Sequence, residues 1–127
     1  MQQISAQEFV IMEAIWDAGE GYLTTRDIES RLFDFDGKKR NLSSLMTVIA
    51  RLVEKGYLEP VKKYRRSTYF VPLIQEREYK IFATLQFIDS IHNGKLSEFM
   101  AVILDSGRYS QQDFDELHGV IDEKSRS

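Results

Sequence analysis

The stretch Asn41-Leu-Ser-Ser-Leu-Met-Thr-Val-Ile-Ala-Arg-Leu-Val-Glu-Lys-Gly56, running on through Tyr57 to Pro72, decides how this chain folds. Asn41 is a favoured helix N-cap, and Gly56 suits the left-handed residue that closes a helix C-terminus. At 100° per residue, Leu45, Val48, Ile49 and Leu52 lie within about 60° of one direction, so that face must be buried. The opposite face carries Ser43, Thr47, Ala50 and Glu54, with Ser44, Met46 and Arg51 on its shoulders. Beyond Gly56, Tyr57 to Pro60 and Tyr69 to Pro72 read as two strands flanking the charged tip Lys62-Lys63-Tyr64-Arg65-Arg66. Pro72 cannot donate to a ladder and ends the hairpin.

Toward the N-terminus, Ser5 and Glu8 form a capping box for a first helix. Phe9, Ile11, Met12, Ile15 and Trp16 recur in it at helical spacing through Asp17, and Gly19 and Gly21 end it. Tyr22-Leu23 is a short extended piece. Thr24 or Thr25 caps a second helix, Arg26 to Leu32, and Phe33 to Arg40 is expected as a polar turn around Asp36-Gly37. Three helices followed by a hairpin is the winged-helix arrangement. Toward the C-terminus, helices are expected over Gln75 to Asn93 and Leu96 to Leu104. A last one opens at the Ser110/Asp113 capping pair, with Phe114, Leu117 and Ile121 on its stripe. The fold class is therefore mostly α with a small β-hairpin wing. A winged helix-turn-helix over 1–74 is followed by a helical dimerisation region over 75–127.

The 127 residues are 43% apolar and 29% charged, an ordinary soluble composition with no apolar run long enough for a membrane span. Met-Gln-Gln-Ile-Ser lacks a signal-peptide layout. The absence of cysteine excludes disulfides, thiol catalysis and cysteine metal sites, and suits a cytoplasmic protein. The net charge of −3 is unevenly spread. Lys38 to Arg66 holds nine basic residues against two acidic, a net of +7, whereas Glu76 to the end holds six against ten, a net of −4. Such asymmetry points to a polyanion partner.

Double-stranded DNA fits the positions of these charges. Lys38, Lys39 and Arg40 precede the third helix, where free amides and the helix dipole favour phosphate. Ser43, Ser44 and Thr47 offer hydroxyls, Met46 and Ala50 can pack on thymine methyls, and Arg51 stands beside them. Arg65 and Arg66 can enter a minor groove or clamp a backbone, with Tyr64 alongside. The aromatic stripe of the tail reads as a monomer core or as a homodimer seam centred on Phe82, Ile88, Phe99, Ile103, Phe114 and Leu117. The seam is favoured because three short helices after a complete winged module have little else to bury against. His92 and His118 lack ligand spacing, and no nucleophile triad, glycine-rich phosphate loop or carboxylate pair stands out. Neither an enzyme nor a cofactor, metal or membrane partner is expected. A winged helix that binds only protein is the alternative. The paired basic clusters and the small outward residues of the third helix speak against it.

Leu45-Met-Thr-Val-Ile-Ala-Arg-Leu-Val-Glu-Lys-Gly-Tyr-Leu58 resembles the recognition helix of the penicillinase-repressor (BlaI/MecI-type) family. Ile11-Met-Glu-Ala-Ile-Trp16 resembles its first helix, Leu23-Thr-Thr-Arg-Asp-Ile28 its second, and Tyr69-Phe-Val-Pro-Leu73 the end of its wing. Asn93-Gly94-Lys-Leu96 and the segments after it are similar to its dimerisation tail. The resemblance implies a homodimeric repressor on a pseudo-palindromic operator, controlling antibiotic-resistance or stress genes. It places base and phosphate contacts on Ser43, Ser44 and Thr47, and the wing arginine on Arg66. Three positions depart from the family pattern. Arg65 replaces the usual wing glycine, and Leu42 stands where proline is common. The pair matching the Asn-Phe bond cut in the β-lactam branch is Val102-Ile103. That pair implies release by another route, either a small ligand at the dimer seam or cleavage at a different exposed site such as the Ser106-Gly107-Arg108 turn. The cysteine pattern of the copper-responsive branch is missing.

Overall fold

The computed structural model of the chain describes residues 1–19, 21–63 and 67–127, with Lys63 described in its backbone only. Helix α1, Ala6–Ala18, opens on a complete capping box. The Glu8 amide donates to Ser5 Oγ at 3.1 Å and the Ser5 amide donates to Glu8 Oε1 at 2.8 Å. Gly19, at φ 70°, closes the helix in the left-handed region that only glycine enters cheaply.

Helix α2, Thr25–Asp36, is capped by Thr24, with Asp27 completing the box. It runs four residues past the expected end at Leu32, so half of the expected polar turn is helical. Phe33, Asp34, Phe35 and Asp36 include no helix breaker, and Gly37 at φ 69° acts as the C-cap rather than as part of a β-turn. Helix α3, Leu42–Glu54, starts at Asn41.

The hairpin pairs β1, Leu58–Lys63, with β2, Ser67–Pro72, antiparallel from Leu58↔Pro72 to Lys63↔Ser67. Both strands reach further toward the tip than expected. A two-stranded ribbon keeps much of its surface in water, so lysine, serine and threonine can continue the ladder. Leu23 bridges to Phe70 through amide–carbonyl bonds of 3.2 and 2.8 Å, which ties the segment between α1 and α2 to the hairpin. Helices α4, Glu76–His92, α5, Leu96–Asp105, and α6, Gln111–Ser125, complete the chain. Val102 and Ile103 both lie inside α5, and Ser106 to Arg108 are exposed.

Two compact units divide within α4, Met1–Ala83 and Thr84–Ser127. In the first, the stripes of α1, α2 and α3 meet at Met12, Ile15, Ile28, Leu32, Ile49 and Leu52, each no more than 2% exposed. Each such burial contributes about 1.5–3 kcal/mol. The first unit also captures the start of α4. Trp16 Nε1 donates to the Ile74 carbonyl at 2.9 Å, and Tyr79 packs against Phe9, Trp16 and Tyr57 with ring centroids 5.6–6.2 Å apart. The Ile4 amide donates to the Tyr79 hydroxyl at 3.3 Å, and the Tyr57 hydroxyl donates to the Gln2 carbonyl. Burial first, and Tyr79 beside it second, pushes the Tyr57 hydroxyl up to about 12, so it stays a donor at any ordinary pH.

The second unit is thinly packed. Among the described residues only Ile88 and His92 are buried in it, and neither α5 nor α6 has a buried residue. The His92 ring lies between Phe87 and Phe99, at 5.7 and 5.4 Å.

Candidate nucleic-acid interface

The sequence of α3 fixes which of its faces can meet a partner. Leu45, Val48, Ile49 and Leu52 are all buried in the first unit. Ser43, Ser44, Met46, Thr47, Ala50, Arg51 and Glu54 are all exposed. The outward surface near the helix start is therefore small, polar or flexible, with no bulky side chain to hold the helix away from a base pair.

The helix start differs from the expected anion site. Asn41 Oδ1 accepts the Ser43 amide at 2.8 Å and the Ser44 amide at 3.3 Å. Two amides expected to be free for a phosphate are thus already taken, which leaves the basic side chains to make any anion contact there. Lys38 and Lys39 are exposed in the segment between α2 and α3. Arg40 is half-buried, and its guanidinium donates to both carboxylate oxygens of Asp36, at 3.1 and 2.5 Å. The Arg40 guanidinium, and after it the Lys38 amide, hold the Asp36 carboxyl down at about 2. Arg40 therefore already has a counter-charge.

Lys62 is exposed near the end of β1. Arg65 and Arg66, expected as the wing contacts, lie outside the described residues, as does Tyr64.

A second ion pair secures the other end of α3. Lys55 Nζ lies 2.7 Å from Glu8 Oε1, and Glu8 is 1% exposed. Burial alone would raise the Glu8 carboxyl. The hydrogen bonds from Lys55 and Ser5 outweigh it and hold the carboxyl below its ordinary value. Sequence reasoning found Glu8 only as a capping residue. Its pairing partner stands 47 positions away, and no local spacing connects them.

The expected seam residues divide into two groups. Phe82 packs against the core of the first unit, with its ring 6.3 Å from Tyr79, and Ile88 is 8% exposed within the second. Both serve the protomer's own packing. Phe99, Ile103, Phe114 and Leu117 are half-buried. Leu85, Ile91, Val102, Val120 and Ile121 each leave more than half of their surface uncovered.

Three helices, a paired hairpin and a bridging strand residue between the first two helices define a winged-helix DNA-binding module, here followed by a helical extension. The chain belongs to the penicillinase repressor family, whose model matches residues 4–123. The family is one of DNA-binding transcriptional repressors, and the chain is not an enzyme. A penicillinase repressor of Bacillus licheniformis is 27% identical over 123 residues, covering 95% of this chain and 91% of the relative. An uncharacterized 16.5 kDa protein in the ptsI 3′ region of Latilactobacillus sakei is 30% identical over 127 residues, covering 97% of this chain and 81% of the relative. The structure of H. salinarum RosR is similar in fold, with a TM-score of 0.52 over 98% of this chain and 96% of that one, at 14% identity. No helix among the described residues is long and apolar enough to cross a membrane.

Proposed function

We propose that the chain acts in the cytoplasm as a homodimer on a pseudo-palindromic duplex operator, with the outer face of α3 in the major groove. The observation that carries this reading is the outward surface of α3 from Ser43 to Arg51, exposed along its length, with Lys38 and Lys39 just before it. Lys38, Lys39, Arg40, Arg65 and Arg66 serve the phosphate backbone or a minor groove. Ser43, Ser44, Met46, Thr47 and Arg51 face the bases. Two like modules on one duplex require a dimer. The uncovered apolar residues of α5 and α6, around Phe99, Ile103, Phe114 and Leu117, supply a seam for a second copy. The regulated genes are antibiotic-resistance or stress genes, and the name of the Bacillus licheniformis relative, penicillinase repressor, supports the first of these.

The test is a mobility shift with random duplex DNA at two salt concentrations. A protein neutralising several phosphates loses affinity steeply as salt rises. The Arg65→Ala/Arg66→Ala double variant is expected to bind all duplexes more weakly and with a shallower salt slope. Absence of any shift by the wild-type chain at low salt would instead fit a winged helix that binds only protein.

A further inference from the structure

We propose that Met46, with Ala50 and the Thr47 methyl beside it, is the specificity-determining element of α3 and reads thymine 5-methyl groups in the major groove. The proposal rests on the DNA-binding reading above and deepens it.

Met46 and Ala50 stand one turn apart and are neighbours on the helix surface, and Met46 is 57% exposed. Thr47 lies between them and the far shoulder. Its hydroxyl donates to the Ser43 carbonyl at 3.1 Å, so its hydrogen is committed to the helix backbone. Only its lone pairs and its methyl group remain for a partner. The strip formed by Met46, Ala50 and Thr47 therefore presents methyl groups and one acceptor, and no hydrogen-bond donor. The donors stand beside that strip, at the exposed Ser43, Ser44 and Arg51.

The major-groove edges of the four bases respond differently to such a strip. Guanine presents only acceptors, O6 and N7, and a donorless surface laid over them strands both. Thymine presents one acceptor and a methyl group, the one base-edge feature that an apolar side chain can cover without leaving a polar atom unpaired. The methionine thioether is flexible and polarizable, which lets it follow that methyl without demanding a rigid register. The recognition face is thus divided lengthwise. One side carries hydroxyls and a guanidinium, and the other reads methyl groups.

The test uses the full chain and the duplex sequence that it selects from a random pool. Each thymine of that duplex is replaced in turn by deoxyuridine, which removes only the methyl, and affinity is measured at fixed salt. At one or more positions in each half-site, wild type is expected to lose about fourfold, the worth of one buried methyl-sized group. In Met46→Ala, and in Met46→Gln, which keeps the chain length, that loss should disappear while the salt slope stays unchanged. Met46 is a surface residue, so both variants are expected to fold, and an unchanged thermal transition checks this. If deoxyuridine is silent throughout the site, or the loss persists in both variants, the proposal is overturned while DNA binding stands. If wild type selects no sequence and shifts no duplex, the DNA-binding reading falls and takes this proposal with it.

Discussion

Met1–Ala83 and Thr84–Ser127 are built from similarly apolar helices, yet they dispose of that surface in opposite ways. Among the described residues of the first unit fourteen apolar residues are buried, drawn from three helices, the segments flanking them, the hairpin and the start of α4. In the second, Ile88 is the one buried apolar residue among those described, while Leu85, Ile91, Leu96, Val102, Val120 and Ile121 stay more than half uncovered. A helix must bury its apolar stripe against something. The first unit finds that partner within its own chain, and in the homodimer proposed above the second would find it in another copy. Stability of the first unit should then be a property of the protomer, and order in the second a property of concentration.

The largest expected effect lies in the first unit. Leu52, fully buried on the inner face of α3, should cost about 2–5 kcal/mol when replaced by alanine, read by urea unfolding of the full chain. The loss should not depend on protein concentration. A concentration-dependent loss would mean that the first unit too leans on a partner. Next in size is Val102→Asp, which places a carboxylate on the uncovered face of α5. It should raise the dimer Kd about a hundredfold, roughly 2.7 kcal/mol, in sedimentation, and leave the urea transition of the first unit in place. An unchanged association would remove α5 from the seam.

The smallest effect sharpens the comparison through pH. Glu8 is held below its ordinary value of 4.5 by Lys55 and Ser5 in the folded chain. As pH falls, the unfolded chain takes up this proton first. The stability Glu8 contributes is therefore complete above about pH 4.5 and is lost as pH drops toward the lower folded value. Glu8→Gln should lower stability by about 1–2 kcal/mol at pH 7 and leave a flatter acid limb, with the two proteins converging once pH falls below the lowered folded value. A constant difference down to that pH would show that the charge on Glu8 contributes nothing.

Legibility in the sequence followed the range of the interactions. The capping boxes at Ser5/Glu8 and Ser110/Asp113 act across three residues and could be read directly. The split of α3 into a buried and an exposed face follows from helical periodicity alone. Helix α2 extends four residues past its expected end because Asp36-Gly37 signals a turn equally well as a helix C-cap, and local chemistry does not separate the two. At the candidate interface, the sequence supplied Lys38, Lys39, Ser43, Met46 and Thr47 as outward residues. It did not reveal that Asn41 occupies two amides or that Asp36 holds Arg40.

The sequence by itself determined the order of elements, the face of α3 that is free and the sign of the charge around it. Periods of two and 3.6 residues and short capping motifs carry that information locally. Tertiary structure alone decided which apolar residues are spent inside the protomer. Phe82 and Leu85 lie one turn apart on α4 with the same chemistry. Phe82 is half-buried because the aromatic group around Tyr79 meets it, and Leu85 is left 53% exposed. Burial is a property of what arrives from elsewhere in the chain, and Phe9, Trp16 and Tyr57, which hold Tyr79 in place, come from 22 to 70 residues away.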